Sequence, residues 1–163
     1  NKLDDEKHLA SKLLKNTSEV VSFIGVLEHL ENPINILDTF MKSSSKYIFF
    51  SVPLLSFTIF IENVFKNSFP RHLSSDHTHL FSHKSIEYLF KIYGLKPIAK
   101  WHFGIDSMDL RRSMIIELLK NKTSTKSVEL FQKEYFSKEM MNSFQEIIDQ
   151  EFAASEIHIL AKK

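Results

Sequence analysis

The stretch Val20-Val21-Ser22-Phe23-Ile24-Gly25-Val26, followed at once by Leu27-Glu28-His29-Leu30, decides how this chain is read. Its residues are almost all β-branched, aromatic or aliphatic. They lack the polar alternation of a strand with one wet face, so the run predicts a strand buried on both faces, as in a parallel sheet. The charged pair Glu28-His29 then stands where that strand ends. Upstream, Leu9, Ala10, Leu13 and Leu14 recur among charges, which predicts an amphipathic helix over about residues 3–14 that stops near Asn16-Thr17-Ser18. Downstream, Asn32-Pro33 has the form of a helix start with proline in the first turn, and Ile34, Leu37, Phe40 and Met41 follow at helical spacing up to Ser43-Ser44-Ser45.

A second apolar run, Tyr47-Ile48-Phe49-Phe50-Ser51-Val52, is stopped by Pro53, which cannot donate to a central ladder. Strand, helix and strand together fit one right-handed βαβ unit. Residues 54–66 are irregularly apolar and predict a short helix or lid over the strand ends. Ser82 to Tyr93 is a cleaner helix, with Ser82 as N-cap and Gly94 as a left-handed stop. Leu95 to Phe103 predicts a third strand and Ser155 to Ala161 a fourth. Between them residues 106–150 read as helical, broken at 121–125, with a second helix from about Ser127 to Asp149.

Length and composition set the frame. The chain has 163 residues, 43% hydrophobic and 25% charged, the proportions of one globular domain rather than a disordered or fibrous chain. A net charge of +1 gives no field to draw in nucleic acid. The absence of cysteine excludes disulfides, thiolate metal sites and cysteine nucleophiles. The longest apolar stretch, around residues 47–60, is interrupted by Ser51, Pro53, Ser56 and Thr58 and falls short of the roughly 20 residues a membrane helix needs. The first residues are charged, with no apolar signal core, so the expectation is a soluble, cytoplasmic protein. A bias to Lys, Ile, Asn and Ser suggests a bacterial source, and the opening Asn suggests a fragment. Only Gly25, Gly94 and Gly104 are glycines, so neither a G-x-G-x-x-G turn nor a phosphate loop can be built.

The order of these segments, with Val26-Leu27-Glu28-His29-Leu30 and Asn32-Pro33, then Val52-Pro53, then His79-Leu80-Phe81-Ser82, resembles the C-terminal half of class I S-adenosylmethionine-dependent methyltransferases from about Val20 onward. The resemblance implies an α/β fold: a partial Rossmann-like sheet of roughly four mixed strands with flanking helices. It also implies the strand order fourth, fifth, seventh, sixth of that family, with the last strand antiparallel. The family's glycine-rich first turn and ribose-holding acidic residue have no counterpart here. The chain alone is therefore expected to bind S-adenosylmethionine weakly or not at all, and to be inactive outside a longer protein. It would also leave Val20 to Ile24 as an open sheet edge through which a homo-oligomer could form.

In an open α/β sheet, ligands sit beyond the carboxyl ends of the parallel strands. By the resemblance, Phe23, Ile24, Gly25 and Leu27 are candidate cofactor neighbours, mostly through backbone, and Val26 is core. Candidate bases are His29, His77 and His79, since histidine titrates near neutrality. Glu28, Arg71, Asp76 and Trp101 are candidate acceptor contacts. Each has a plainer alternative: Glu28-His29 as a helix-start pair, the loop from Arg71 to His79 as a solvated connection capped by Asp76 or His79, and Trp101 as core. Arg111-Arg112 could meet an anionic acceptor or form surface ion pairs. Some branches of the family hold a divalent metal near such a Glu-His pair, and Glu28, His29, His77 and His79 could echo that. Those branches carry a further glutamate where this chain has Gly25, so no metal is assigned. The expected activity is methyl transfer to a small-molecule acceptor, the alternative a non-catalytic interaction module on half of that scaffold. A metal-dependent hydrolase is disfavoured because no second run of ligands completes a two-metal site.

Overall fold

The computed structural model describes residues 2–74 and 76–163; Ser75, inside the histidine-rich loop, lies outside them. The chain divides into two compact units. One comprises Asn1–Leu54, Ser75–Trp101 and Glu156–Lys163, the other Leu55–Ser74 and His102–Ser155.

The first unit holds the sheet. Helix α1 (Lys2–Lys15) leads to β1 (Val20–Ile24), then α2 (Pro33–Lys42), β2 (Tyr47–Pro53), α4 (His83–Tyr93), β3 (Lys96–Phe103) and β4 (Glu156–Lys162), with α3 (Phe57–Val64) between β2 and α4, and the last two residues of β3, belonging to the second unit. The strand order is β1-β2-β4-β3. β1 and β2 run parallel, with Val21 opposite Ile48 and Phe23 opposite Phe50. β4 is antiparallel to β2, placing Ala161, Ile159 and Ile157 opposite Ile48, Phe50 and Val52. This is the order and the antiparallel last strand that the resemblance implied.

Because side chains alternate along a strand, one register puts a single apolar set on one face. Val21, Phe23, Ile48, Phe50, Val52, Ile157, Ile159 and Ala161 are all buried there, packed with Ile36, Leu37 and Phe40 of α2 and with Ile86 and Phe90 of α4. Phe40 is fully buried, and its truncation to alanine is expected to cost about 3–5 kcal/mol. The opposite face is more open: Val20 and Ile24 are 49% and 61% exposed, so β1 is buried on one face only, not on both. β1 also ends two residues earlier than the apolar run, because Gly25 turns to φ 62°.

The helices begin and end where their caps are. The Asn32 Oδ1 accepts from the Ile34 N–H ahead of Pro33. Ser82 and Ser85 exchange side-chain and backbone bonds in a capping box, and Gly94 closes α4 at φ 63°. At the end of α2, the Lys163 ammonium donates to the carbonyls of Phe40 and Ser43, adding to the bonds that the Phe40 carbonyl already accepts from the Ser43 N–H and hydroxyl.

The second unit contains α3, α5 (Asp106–Lys120), α6 (Thr125–Leu130) and α7 (Lys138–Gln150). The single helix expected from Ser127 to Asp149 is instead two. After α6 the chain makes a wide π turn at Phe131–Tyr135, and α7 restarts with the Ser137 hydroxyl accepting from the Met140 N–H. Phe131 and Phe136 stack across that break with centroids 4.7 Å apart, a spacing of five residues that an α-helix does not bring together. Asp106, fully buried at the start of α5, accepts from the Thr58 hydroxyl at 2.5 Å, the Ser155 N–H at 3.1 Å and the Gln145 amide at 3.2 Å.

Candidate active site

The site grows from the carboxyl end of β1. Gly25 donates its N–H to the Ser51 hydroxyl at the matching end of β2, and its left-handed backbone turns the chain into one 3-10 turn, Leu27–His29. A side chain at Gly25 would meet only the Glu28 carboxylate, 3.8 Å away. The space above this strand end is therefore open, with Ile24 exposed beside it.

The turn is held by a segment distant in sequence. The Glu28 carbonyl accepts from the N–H groups of Thr78 and His79 at 2.8 and 3.2 Å. The Thr78 hydroxyl lies within hydrogen-bond reach of both the Glu28 and Leu30 carbonyls. These bonds bring His77 to His29, with ring centroids 4.8 Å apart edge to face. The His29 Nδ1 lies 2.9 Å from the Asp76 carbonyl oxygen. A carbonyl only accepts, so Nδ1 carries the hydrogen, and in the neutral ring Nε2 presents a lone pair.

Glu28 is buried, at 5% exposure. Its Oε1 lies 4.0 Å from the His29 Nε2, and its Oε2 is buried without a hydrogen-bond partner among the described residues. Burial pushes the Glu28 carboxyl above the usual range, opposed by its own backbone N–H and by His29 and His77. Glu28, His29 and His77 each offer a ligand atom, all within 4.8 Å of one another. One carboxylate and two imidazoles form a donor set that suits a divalent cation.

The other expected residues scatter. His79 is not in that trio: its Nδ1 sits 2.9 Å from the Thr78 hydroxyl, and its ring lines an apolar cavity. Phe23 and Leu27 bury their side chains in the core and leave only backbone at the strand end. Asp76 contributes its carbonyl to His29, and its side chain is exposed. Trp101, 43% exposed, stacks on Phe49 and meets His158 edge-on, on the sheet face away from the core. Arg71 lies in the second unit, where its guanidinium binds Asp109 at 2.9 Å and the Ser155 hydroxyl at 2.8 Å. Arg112 likewise pairs with Asp109 and with the Phe69 carbonyl, the plainer of its two readings.

Sequence reasoning missed Thr78, whose only signal was a hydroxyl between two histidines. It also missed Ser51, which had none beyond its place at a strand end.

A family model described as a methyltransferase domain matches residues 2–100. With more than half of its length matched, the chain belongs to the methyltransferase-domain family. Among solved structures, it is similar to a SAM dependent methyltransferase from Archaeoglobus fulgidus, at 13% identity and a TM-score of 0.48, covering 100% of this chain and 65% of that one. It is also similar to a candidate sarcosine dimethylglycine methyltransferase from Galdieria sulphuraria, at 11% identity and a TM-score of 0.45, covering 91% of this chain and 54% of that one. The chain thus spans under two thirds of the length of either. No curated protein matches it. Among the described residues no helix is long and apolar enough to cross a membrane.

Proposed function

We propose that the chain is the acceptor-side part of an S-adenosylmethionine-dependent methyltransferase that modifies a small-molecule hydroxyl or amine. The family membership supports the reaction class. The observation that carries the mechanism is His29 at the end of β1, with Nδ1 fixed by the Asp76 carbonyl and Nε2 left to take a proton. The fit to the cofactor is that of one wall: the open space over Gly25, flanked by exposed Ile24, with the backbone of Phe23 and Leu27 beneath.

When bound, the cofactor supplies a methyl group on a sulfonium that departs as a neutral thioether. His29 would take the acceptor's proton at Nε2, making the acceptor atom more nucleophilic toward the methyl group that the cofactor would supply. The Asp76 carbonyl keeps the resulting imidazolium oriented, and the Glu28 carboxylate, when ionised, stabilises its charge. His77 packs the base on one side. Such a base contributes about 10²–10⁴-fold, so His29→Ala in the catalytically complete protein should lose roughly that much kcat with cofactor affinity unchanged.

Calorimetric titration of S-adenosylmethionine into this chain, and into the chain joined to a nucleotide-binding half of about 80 to 100 residues, tests the reading. Binding by the joined form alone is the expected result, and binding by neither would overturn it. A second reading, a non-catalytic interaction module, is favoured by the place of β1 at the end of the strand order with Val20 and Ile24 exposed. The same edge could pair two copies, and sedimentation velocity would detect that.

A further inference from the structure

Within the first unit lies a cavity of about 300 Å³ that the reaction as described does not use. Its walls are Leu27, Leu37, Phe50, Phe81, Phe90 and Leu95, all buried apolar side chains. Its rim is Ile34, Leu80 and Tyr88, which are 38%, 36% and 62% exposed, so the space opens to the surface. Because the space opens to the surface, water fills it when it is otherwise empty, and an apolar occupant would release that water from apolar walls. An open apolar cavity at the low end of the volumes that hold small ligands calls for an occupant.

The few polar groups say what kind. The Asn32 Oδ1 is taken by the cap of α2, and Ser85 by the capping box of α4. The rest of the lining is apolar apart from the Asn32 side-chain amide, the Tyr88 hydroxyl at the exposed rim and His79, so it suits an apolar chain with a polar head beside His79. His79 is also the link to the candidate active site. Its N–H is bonded to the Glu28 carbonyl, and Leu27, which also lines the cavity, directly precedes Glu28 in the turn.

We infer that this cavity seats the apolar part of an amphipathic small molecule, an alkyl or aryl chain carrying a single polar head that lies at the His79 end beside Glu28 and His29. That this molecule is the methyl acceptor rests on the function proposed above; that the cavity binds it does not. About 300 Å³ accommodates roughly ten methylene-sized groups at the ~30 Å³ that a water-sized group occupies in a liquid.

The probe is para-hexylphenol, titrated into the full chain without cofactor and followed by methyl NMR shifts and calorimetry. Saturable binding is expected, with shifts at Leu37 and at Leu89 of α4, which also lines the cavity. Ile34→Trp fills the rim and Leu89→Trp the wall, and each should weaken binding about tenfold or more, the equivalent of ~1.4 kcal/mol. Ile98→Trp, on exposed β3, should bind as the parent does, and thermal melts establish that each variant is folded. Absence of saturable binding by the parent chain, or unchanged affinity in both folded filled variants, would overturn the inference. The S-adenosylmethionine titration is a separate readout, so failure of the methyltransferase reading leaves the cavity result standing, and the reverse.

Discussion

Glu62, near the end of α3, makes the most demanding test of how the second unit is held. Its Oε1 accepts the backbone N–H groups of Arg71 and His72 at 2.7 and 2.8 Å, and its Oε2 accepts that of Leu73 at 2.8 Å. The carboxylate is buried, at 7% exposure, and so is His72, at 3%. A bond to a charged acceptor contributes about 1.5–3 kcal/mol, so three amount to a gross several kcal/mol that the unfolded chain recovers in part from water. Leu73 is 43% exposed, and its amide can be resolvated when the carboxylate is removed. Allowing for that, Glu62→Ala should cost about 3 kcal/mol, or roughly 6–12 °C in melting temperature for a chain of this length. Glu62→Gln keeps one carbonyl oxygen but turns an N–H donor toward another at Leu73. Its expected cost is about 2 kcal/mol, nearly all from lost charge and that one mismatched pair. The assay is urea denaturation together with amide hydrogen exchange at residues 71–73, whose protection should fall in both variants before global unfolding. If Glu62→Gln matched the parent in stability while those amides exchanged as slowly as before, the carboxylate would not be what holds the segment.

Three further outcomes are expected. Burial and the hydrogen bond to Asp38 push the Tyr93 phenol up to about 12; because the unfolded chain releases that proton near 10, Tyr93 supports the fold fully below pH 10 and loses that support as pH rises toward 12. Ultraviolet titration should therefore show a late tyrosinate phase that Tyr93→Phe abolishes. Gly104→Ala would drive a methyl into the Asp106 carboxylate and within 2.6 Å of the Ser155 hydroxyl, groups already fixed by their own bonds; an overpacking loss of about 3 kcal/mol is expected in chemical denaturation, and a parent-like midpoint would show that the turn relaxes freely. Thr78→Val removes the hydroxyl that bridges Glu28 and Leu30, which should cost about 1–2 kcal/mol and separate the His29 and His77 imidazole resonances, detectable as lost ring-to-ring cross-peaks in NMR.

Much of the sheet could be read from local pattern. Continuous apolar runs marked β1 and β2, Pro53 marked the end of β2, and Ser82 with Gly94 bracketed α4 nearly to the residue. The failures have particular causes. An apolar run shows that side chains are buried but not on how many faces, so β1 was expected to be covered twice. The helix drawn through residues 127–149 followed apolar spacing and passed over Ser137, whose capping hydroxyl was the available signal for a restart. At the candidate site, Glu28 and His29 were legible because they adjoin a strand end. Their meeting with His77 depends on the Thr78 and His79 amides reaching the Glu28 carbonyl, a long-range backbone event without any side-chain signature. The pairing of Arg71 with Asp109 was not legible: a cation in a polar loop looks available, and nothing in the α5 pattern announced that Asp109 would be buried against it.

The place of β4 has a consequence for how the protein acquires its shape during synthesis. This strand stands between β2 and β3, and it pairs residue 162 with residue 47. Until it leaves the ribosome, the edge of β2 and its core partners Ile48, Phe50 and Val52 have no antiparallel neighbour, while the helices at 106–150 can already form from local contacts. Loop closure over so long a separation is entropically costly and slow. The nascent chain should therefore carry a half-built, sticky sheet from the synthesis of Val52 until Glu156–Lys162 inserts, the interval over which a chaperone would bind it.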